Sequence, residues 1–239
     1  MARFARFLAA VFSFPFVWAL CRTLFDVFSL SPADGGSVFP VESAALVAGM
    51  AAFLVLRSVL PGTTKLYVLG HELTHAVWGL AFGAKVSKLK VGESGGSVSL
   101  SKSNVWITLA PYFFPFWTMV VAAAALAVRG VMHFTDPGGS LPAVWAWVFA
   151  VGFTWCFHAC FTIRSLMQRQ PDVQEYGRVF SWTFILVCNI AGILVWILCT
   201  TDITAVSIAG LLWRHVVSAY DATFRAFRFV AALPAAQSS

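Results

Sequence analysis

Residues 64–82 read TKLYVLGHELTHAVWGLAF, an apolar run in which His71, Glu72 and His75 sit within a turn and a half of one another. Four residues turn an α-helix through about 400°, so the two imidazoles stack on one face. Both can then reach one tetrahedral Zn²⁺ at about 2.0–2.1 Å. Glu72 is offset around the helix. It can take a proton from the attacking water without being a ligand, which is the work of a general base. The pattern His-Glu-x-x-His would arise by chance roughly 0.002 times in a chain of this composition.

The rest of the chain determines what kind of helix carries this pattern. Of its 239 residues, 59% are hydrophobic and 11% charged, with a mean hydropathy of +0.81. A soluble domain carries about 25% charged residues, more than twice as many. The surplus apolar surface must therefore face lipid. An ionisable side chain at mid-membrane costs on the order of 2.5–3.5 kcal/mol, so three of them close together on one apolar helix call for a cation.

Each crossing of a bilayer needs roughly 20 apolar residues, and six such segments can be drawn, at about 7–28, 41–60, 64–82, 105–128, 141–163 and 178–199. The expected fold is an all-α polytopic membrane protein with about six transmembrane helices, multi-pass in the cell membrane. It forms one membrane-embedded domain over 1–239, with a core at about 64–193 and accessory helices in 1–60. The segment 7–30 is longer than the apolar part of a signal peptide and reads as a retained helix. Ser31 to Pro40 form a connector, and Pro61-Gly62 close the second helix.

Two stretches depart from this pattern. Between Lys85 and Lys102, Leu89, Val91, Val98 and Leu100 alternate with polar residues around Gly92-Glu93-Ser94-Gly95-Gly96, which predicts a small β-hairpin after the His-Glu-x-x-His helix. In 201–231, Arg214, Ser218, Asp221, Arg225 and Arg228 recur at steps of four and three, with aromatic and aliphatic residues opposite. This predicts a C-terminal amphipathic helix lying on the membrane interface.

The net charge of +6 is spread over short connectors. That distribution argues for lipid headgroups as partners and against nucleic acid. The five cysteines lie inside apolar runs and read as small buried residues, including Cys156 and Cys160, which flank His158. No second ionisable cluster is evident along the other helices, which disfavours a transporter.

A catalytic zinc site needs a third protein ligand and one open position. The residues that could supply that ligand are Asp172, in Gln170-Pro171-Asp172, its neighbour Glu175, and His158 in the fifth helix.

At this point the chain resembles the site-2 protease (M50) family of intramembrane zinc metalloproteases, in its small bacterial M50B-like form. His71-Glu72-Leu73-Thr74-His75 in a spanning helix, Gly83-Ala84-Lys85-Val86 after it, the hairpin ending Gly95-Gly96-Ser97-Val98 and a downstream Asp carry the resemblance, over about 64–193. It implies zinc held by His71, His75 and Asp172, with Glu72 as catalytic acid and base. It also implies a hairpin that presents an unwound segment of a membrane protein substrate. The family pattern has Gly after that Asp, whereas Val173 follows here. A catalytically inactive membrane scaffold retaining a structural or relic zinc site is the alternative that the motif alone leaves open.

Overall fold

The computed structural model describes residues 2–29, 42–59, 64–92, 95–135, 144–200 and 203–236. The connector 31–40, the pair Pro61-Gly62, Glu93 and Ser94 of the hairpin turn, and the expected start of the fifth span at 141 lie outside the described residues. The chain divides into two compact units, Met1–Val38 with Tyr176–Ser239, and Phe39–Glu175.

The second unit holds α3 (Glu42–Val59), α4 (Thr64–Ala81), β1 (Val86–Val91), β2 (Gly96–Leu100), α5 (Val105–Leu109), α6 (Phe116–Thr135), α7 (Val144–Leu166) and the short α8 (Pro171–Tyr176), whose last residue falls to the other unit. α3 lies along α7 with backbone nearly touching backbone. A Cβ on Gly49 would collide with the Phe149 carbonyl, and one on Gly152 with that of Leu46. Small residues at the crossing allow this approach, as they do in membrane helix pairs. Phe53, Cys156, Phe157 and Phe161 form the core beside it, and Tyr67 of α4 stacks on Phe161 with ring centroids 4.9 Å apart.

Gly83 ends α4. At φ +72° it lets the Ala84 amide donate back to the Gly79 carbonyl at 2.8 Å, and its own amide donates to the Leu80 carbonyl at 2.8 Å, the two hydrogen bonds of a Schellman C-cap. The chain then enters the antiparallel hairpin, with Val86 opposite Leu100 and Val91 opposite Gly96. The register shifts between Ser87 and Lys90, where Lys88 adopts φ +51°. The expected period-two alternation is therefore interrupted by a bulge.

The segment 105–128 is not one helix. α5 ends at Leu109, a single 3-10 turn covers Ala110–Tyr112, and α6 starts at Phe116. Pro111 and Pro115 have no amide hydrogen to donate to the preceding turn, so the helical ladder breaks there.

The first unit holds α1 (Ala2–Phe12), α2 (Phe14–Phe28), α9 (Arg178–Thr200) and α10 (Ala205–Ala236). The segment 7–28 bends by 43° at Ser13, just ahead of Pro15. Leu20 and Val27 of α2 pack with Ile190, Leu194 and Ile197 of α9 and Ile208 of α10. This unit holds a partly exposed ionisable cluster that no local pattern announces, contrary to the expectation that none lines the other helices. His215 Nε2 of α10 meets Asp26 Oδ2 at 2.8 Å, and Arg22 reaches Asp26 Oδ1 at 3.4 Å. α10 thus docks along α2 through part of its polar stripe, while Trp213, Phe224 and Phe227 stay exposed.

Among the described residues, α6, α7 and α9 (to Cys199) are long and apolar enough to cross a membrane. The bent pair α1–α2 makes a fourth candidate if it counts as one span.

Candidate metal centre

The ligand atoms of His71, His75 and Asp172 lie within 4.8 Å of one another, and among the described residues no other group of three or more His, Cys, Asp or Glu converges in this way. α4 supplies the two histidines one turn apart, and α8 brings Asp172 to them. Each Nε2 sits 3.5 Å from the same carboxylate oxygen, Asp172 Oδ2. Ligands about 2.0–2.1 Å from a tetrahedral zinc ion sit about 3.4 Å from one another, so both histidine–carboxylate distances match the spacing such an ion would impose. Both histidine side chains are 12% exposed and Asp172 is 27% exposed. Neither Glu175 nor His158 joins the cluster.

The proline break explains how His75 is aimed. In a continuous helix the Ile107 carbonyl would accept from the amide of residue 111, but Pro111 has no N–H. That carbonyl instead lies 2.9 Å from His75 Nδ1. A hydrogen on Nδ1 donated there leaves the Nε2 lone pair facing Asp172, the usual arrangement for a histidine that could ligate a metal. Asn104 contributes indirectly, capping α5 by accepting from the Ile107 amide at 3.0 Å.

Asp172 is held from the other side. Tyr112, fully buried in the 3-10 turn, donates its hydroxyl to Asp172 Oδ2 at 3.0 Å. Burial and the neighbouring Asp172 charge push the Tyr112 hydroxyl far above its usual range, so it stays protonated and keeps donating. Burial alone would raise the Asp172 carboxyl, yet hydrogen bonds and charge from His71 and His75 hold it well below the usual carboxylate range. Asp172 is therefore an anion facing two imidazoles. Among the described residues no lysine or arginine lies within ion-pair distance of it.

Glu72 is buried next to the triad, and β2 forms its ceiling. A Cβ on Gly96 would fall 2.7 Å from Glu72 Cγ and 2.8 Å from Val68 Cγ1, so only glycine lets the strand come this close. The Val98 backbone amide faces the Glu72 carboxylate. A cavity of about 690 Å³ opens onto His71, Glu72, His75 and Asp172, and also touches Ser97 of β2 and Arg164. That is roomy enough for a peptide-sized group.

Sequence reasoning did not find Tyr112, the Ile107 carbonyl or the packing role of Gly96. Pro111 was the available signal for Ile107, because a proline marks the carbonyl four residues earlier as free. Nothing in the sequence marks Tyr112. A scan against protein-family models and searches of curated proteins and of solved structures find no match to this chain.

Proposed function

We propose that this chain is an intramembrane zinc metalloprotease of the site-2 protease type, acting on peptide bonds in or near the transmembrane segments of membrane proteins. Its six crossings of the cell membrane would be the bent pair α1–α2 and helices α3, α4, α6, α7 and α9. One observation carries the reading: the ligand atoms of two imidazoles and of a carboxylate with no lysine or arginine partner among the described residues converge within 4.8 Å, with a buried glutamate one residue from the first histidine.

When bound, zinc supplies Lewis acidity that polarises a carbonyl and makes water nucleophilic near neutral pH. Glu72 would accept the proton of the attacking water and return it to the departing amine, the two proton transfers that amide hydrolysis requires. A helical substrate hides its carbonyls in hydrogen bonds, so a segment of it must unwind. β2 pairs with β1 on one edge only, and Gly96, Ser97 and Val98 line the cavity. An unwound segment pairing with that strand would satisfy its freed amides and carbonyls beside Glu72.

Purified Glu72→Gln protein tests this reading. It should retain zinc and lose cleavage of a transmembrane substrate by roughly 10²-fold or more. Cleavage at the wild-type rate would contradict it.

A further inference from the structure

The two histidines of the cluster are not supported alike. His75 Nδ1 has the Ile107 carbonyl at 2.9 Å. His71 Nδ1 is buried and, among the described residues, has no hydrogen-bond partner. A buried imidazole N–H left unpaired costs on the order of 1–3 kcal/mol, and it leaves the tautomer unspecified at the atom that decides whether Nε2 can bind metal.

A second, small cavity lies against the His71 side chain. It is lined by His71, His158, Tyr67, Thr74 and Trp117 and has a volume of about 10 Å³, which is room for about one water. Two lining groups are open to such a water, the Tyr67 hydroxyl, which is buried and has no hydrogen-bond partner among the described residues, and the His158 imidazole. The Thr74 hydroxyl already donates to the Gly70 carbonyl at 2.7 Å, and Trp117 Nε1 donates to the Leu66 carbonyl at 3.1 Å. His158 is 9% exposed, and its Nε2 has only a long 3.5 Å approach to Thr162 Oγ1. An imidazole on an apolar spanning helix otherwise has no evident reason to be there.

We propose that His158 is a positioning residue for the metal centre, holding His71 through one buried water in this cavity. The His71 Nδ1–H donates to the water, and the water donates to the unprotonated ring nitrogen of His158. This chain fixes the tautomer of His71 as the Ile107 carbonyl fixes that of His75. Gly70 is part of the same arrangement, because a Cβ there would fall 2.7 Å from Trp117 Nε1 and displace an indole that lines the cavity. The proposal rests on the metal-centre reading, though not on proteolysis.

Zinc affinity measured by chelator competition in detergent tests it without reference to activity. His158→Phe keeps the ring shape and removes both nitrogens, and should weaken zinc about 10–100-fold, the usual effect of losing a group that orients a ligand. His158→Gln restores an acceptor and should recover most of that loss, a rescue that a purely packing role would not give. Equal affinity in wild type and His158→Phe overturns the proposal and leaves the metal centre standing. Wild type that takes up no zinc overturns the metal centre itself, and this proposal with it. Should His158→Phe fail to fold, ¹⁵N-histidine NMR of the zinc-loaded wild type decides. A His71 Nδ1 proton protected from solvent exchange is expected, whereas one exchanging at the bulk rate would overturn the proposal.

Discussion

The chain sets a carboxylate beside histidine in two places, and the two are built differently. Asp26 and Asp172 have equally exposed side chains, at 27%, and each faces an imidazole nitrogen. Asp26 has one histidine, His215, at direct hydrogen-bond distance, and its other oxygen meets the Arg22 guanidinium at 3.4 Å. Its charge is answered by groups the chain already carries. Asp172 has two histidines at 3.5 Å and a tyrosine hydroxyl. The two 3.5 Å histidine distances are long for hydrogen bonds and match ligands sharing an ion. The first cluster is a closed pair between helices, while the second has a ligand set that could hold a metal ion.

Breaking each cluster should therefore have opposite consequences. The largest expected effect is at the second. His71→Ala or Asp172→Ala should lower zinc from about one per chain to nearly none, read by metal analysis. Asp26→Ala should leave the zinc content unchanged. Retained metal in the Asp172 variant would send the third-ligand role to His158 or Glu175.

Next in size is the ceiling over Glu72. Gly96→Ala places a methyl group against Glu72 Cγ and Val68 Cγ1, and a displaced general base costs up to about 10²-fold in rate. Cleavage should fall by that order while zinc content stays at the wild-type level. A fall in both would mean that the strand supports the ligands as well.

Tyr112→Phe removes the hydroxyl that donates to Asp172. Chelator competition should show zinc binding weakened by roughly tenfold or more, as for other groups that orient a metal ligand. The smallest effect is expected at the closed pair. Asp26→Asn should lower the thermal unfolding temperature by an amount equivalent to about 1–3 kcal/mol, the loss of a charge-assisted hydrogen bond, with cleavage per folded molecule unchanged. If it altered zinc content instead, the two clusters would not be independent.

The same contrast shows what a sequence exposes. His71, Glu72 and His75 were legible because their spacing is local, and helix geometry converts spacing into a shared face. Asp172 was legible as a carboxylate at a helix start, though Glu175 and His158 competed with it until the fold showed which atoms converge. The hairpin was legible from period-two alternation, but the bulge at Lys88 was not, because backbone strain leaves no compositional trace. The segment 105–128 has a composition apolar enough for one helix. The break at Pro111 and Pro115, which frees the Ile107 carbonyl for His75, becomes visible only when the missing amide hydrogens are followed to their would-be acceptors. Asp26 and His215 are 189 residues apart, and no periodicity links positions that meet only through helix packing.

The metal content of the purified wild-type protein, compared with that of His71→Ala prepared alongside it, tests the central claim most directly. About one zinc ion per chain in the first and almost none in the second is the predicted result. Wild-type protein that is metal-free after purification without chelator, and that takes up no zinc when it is offered, would contradict it.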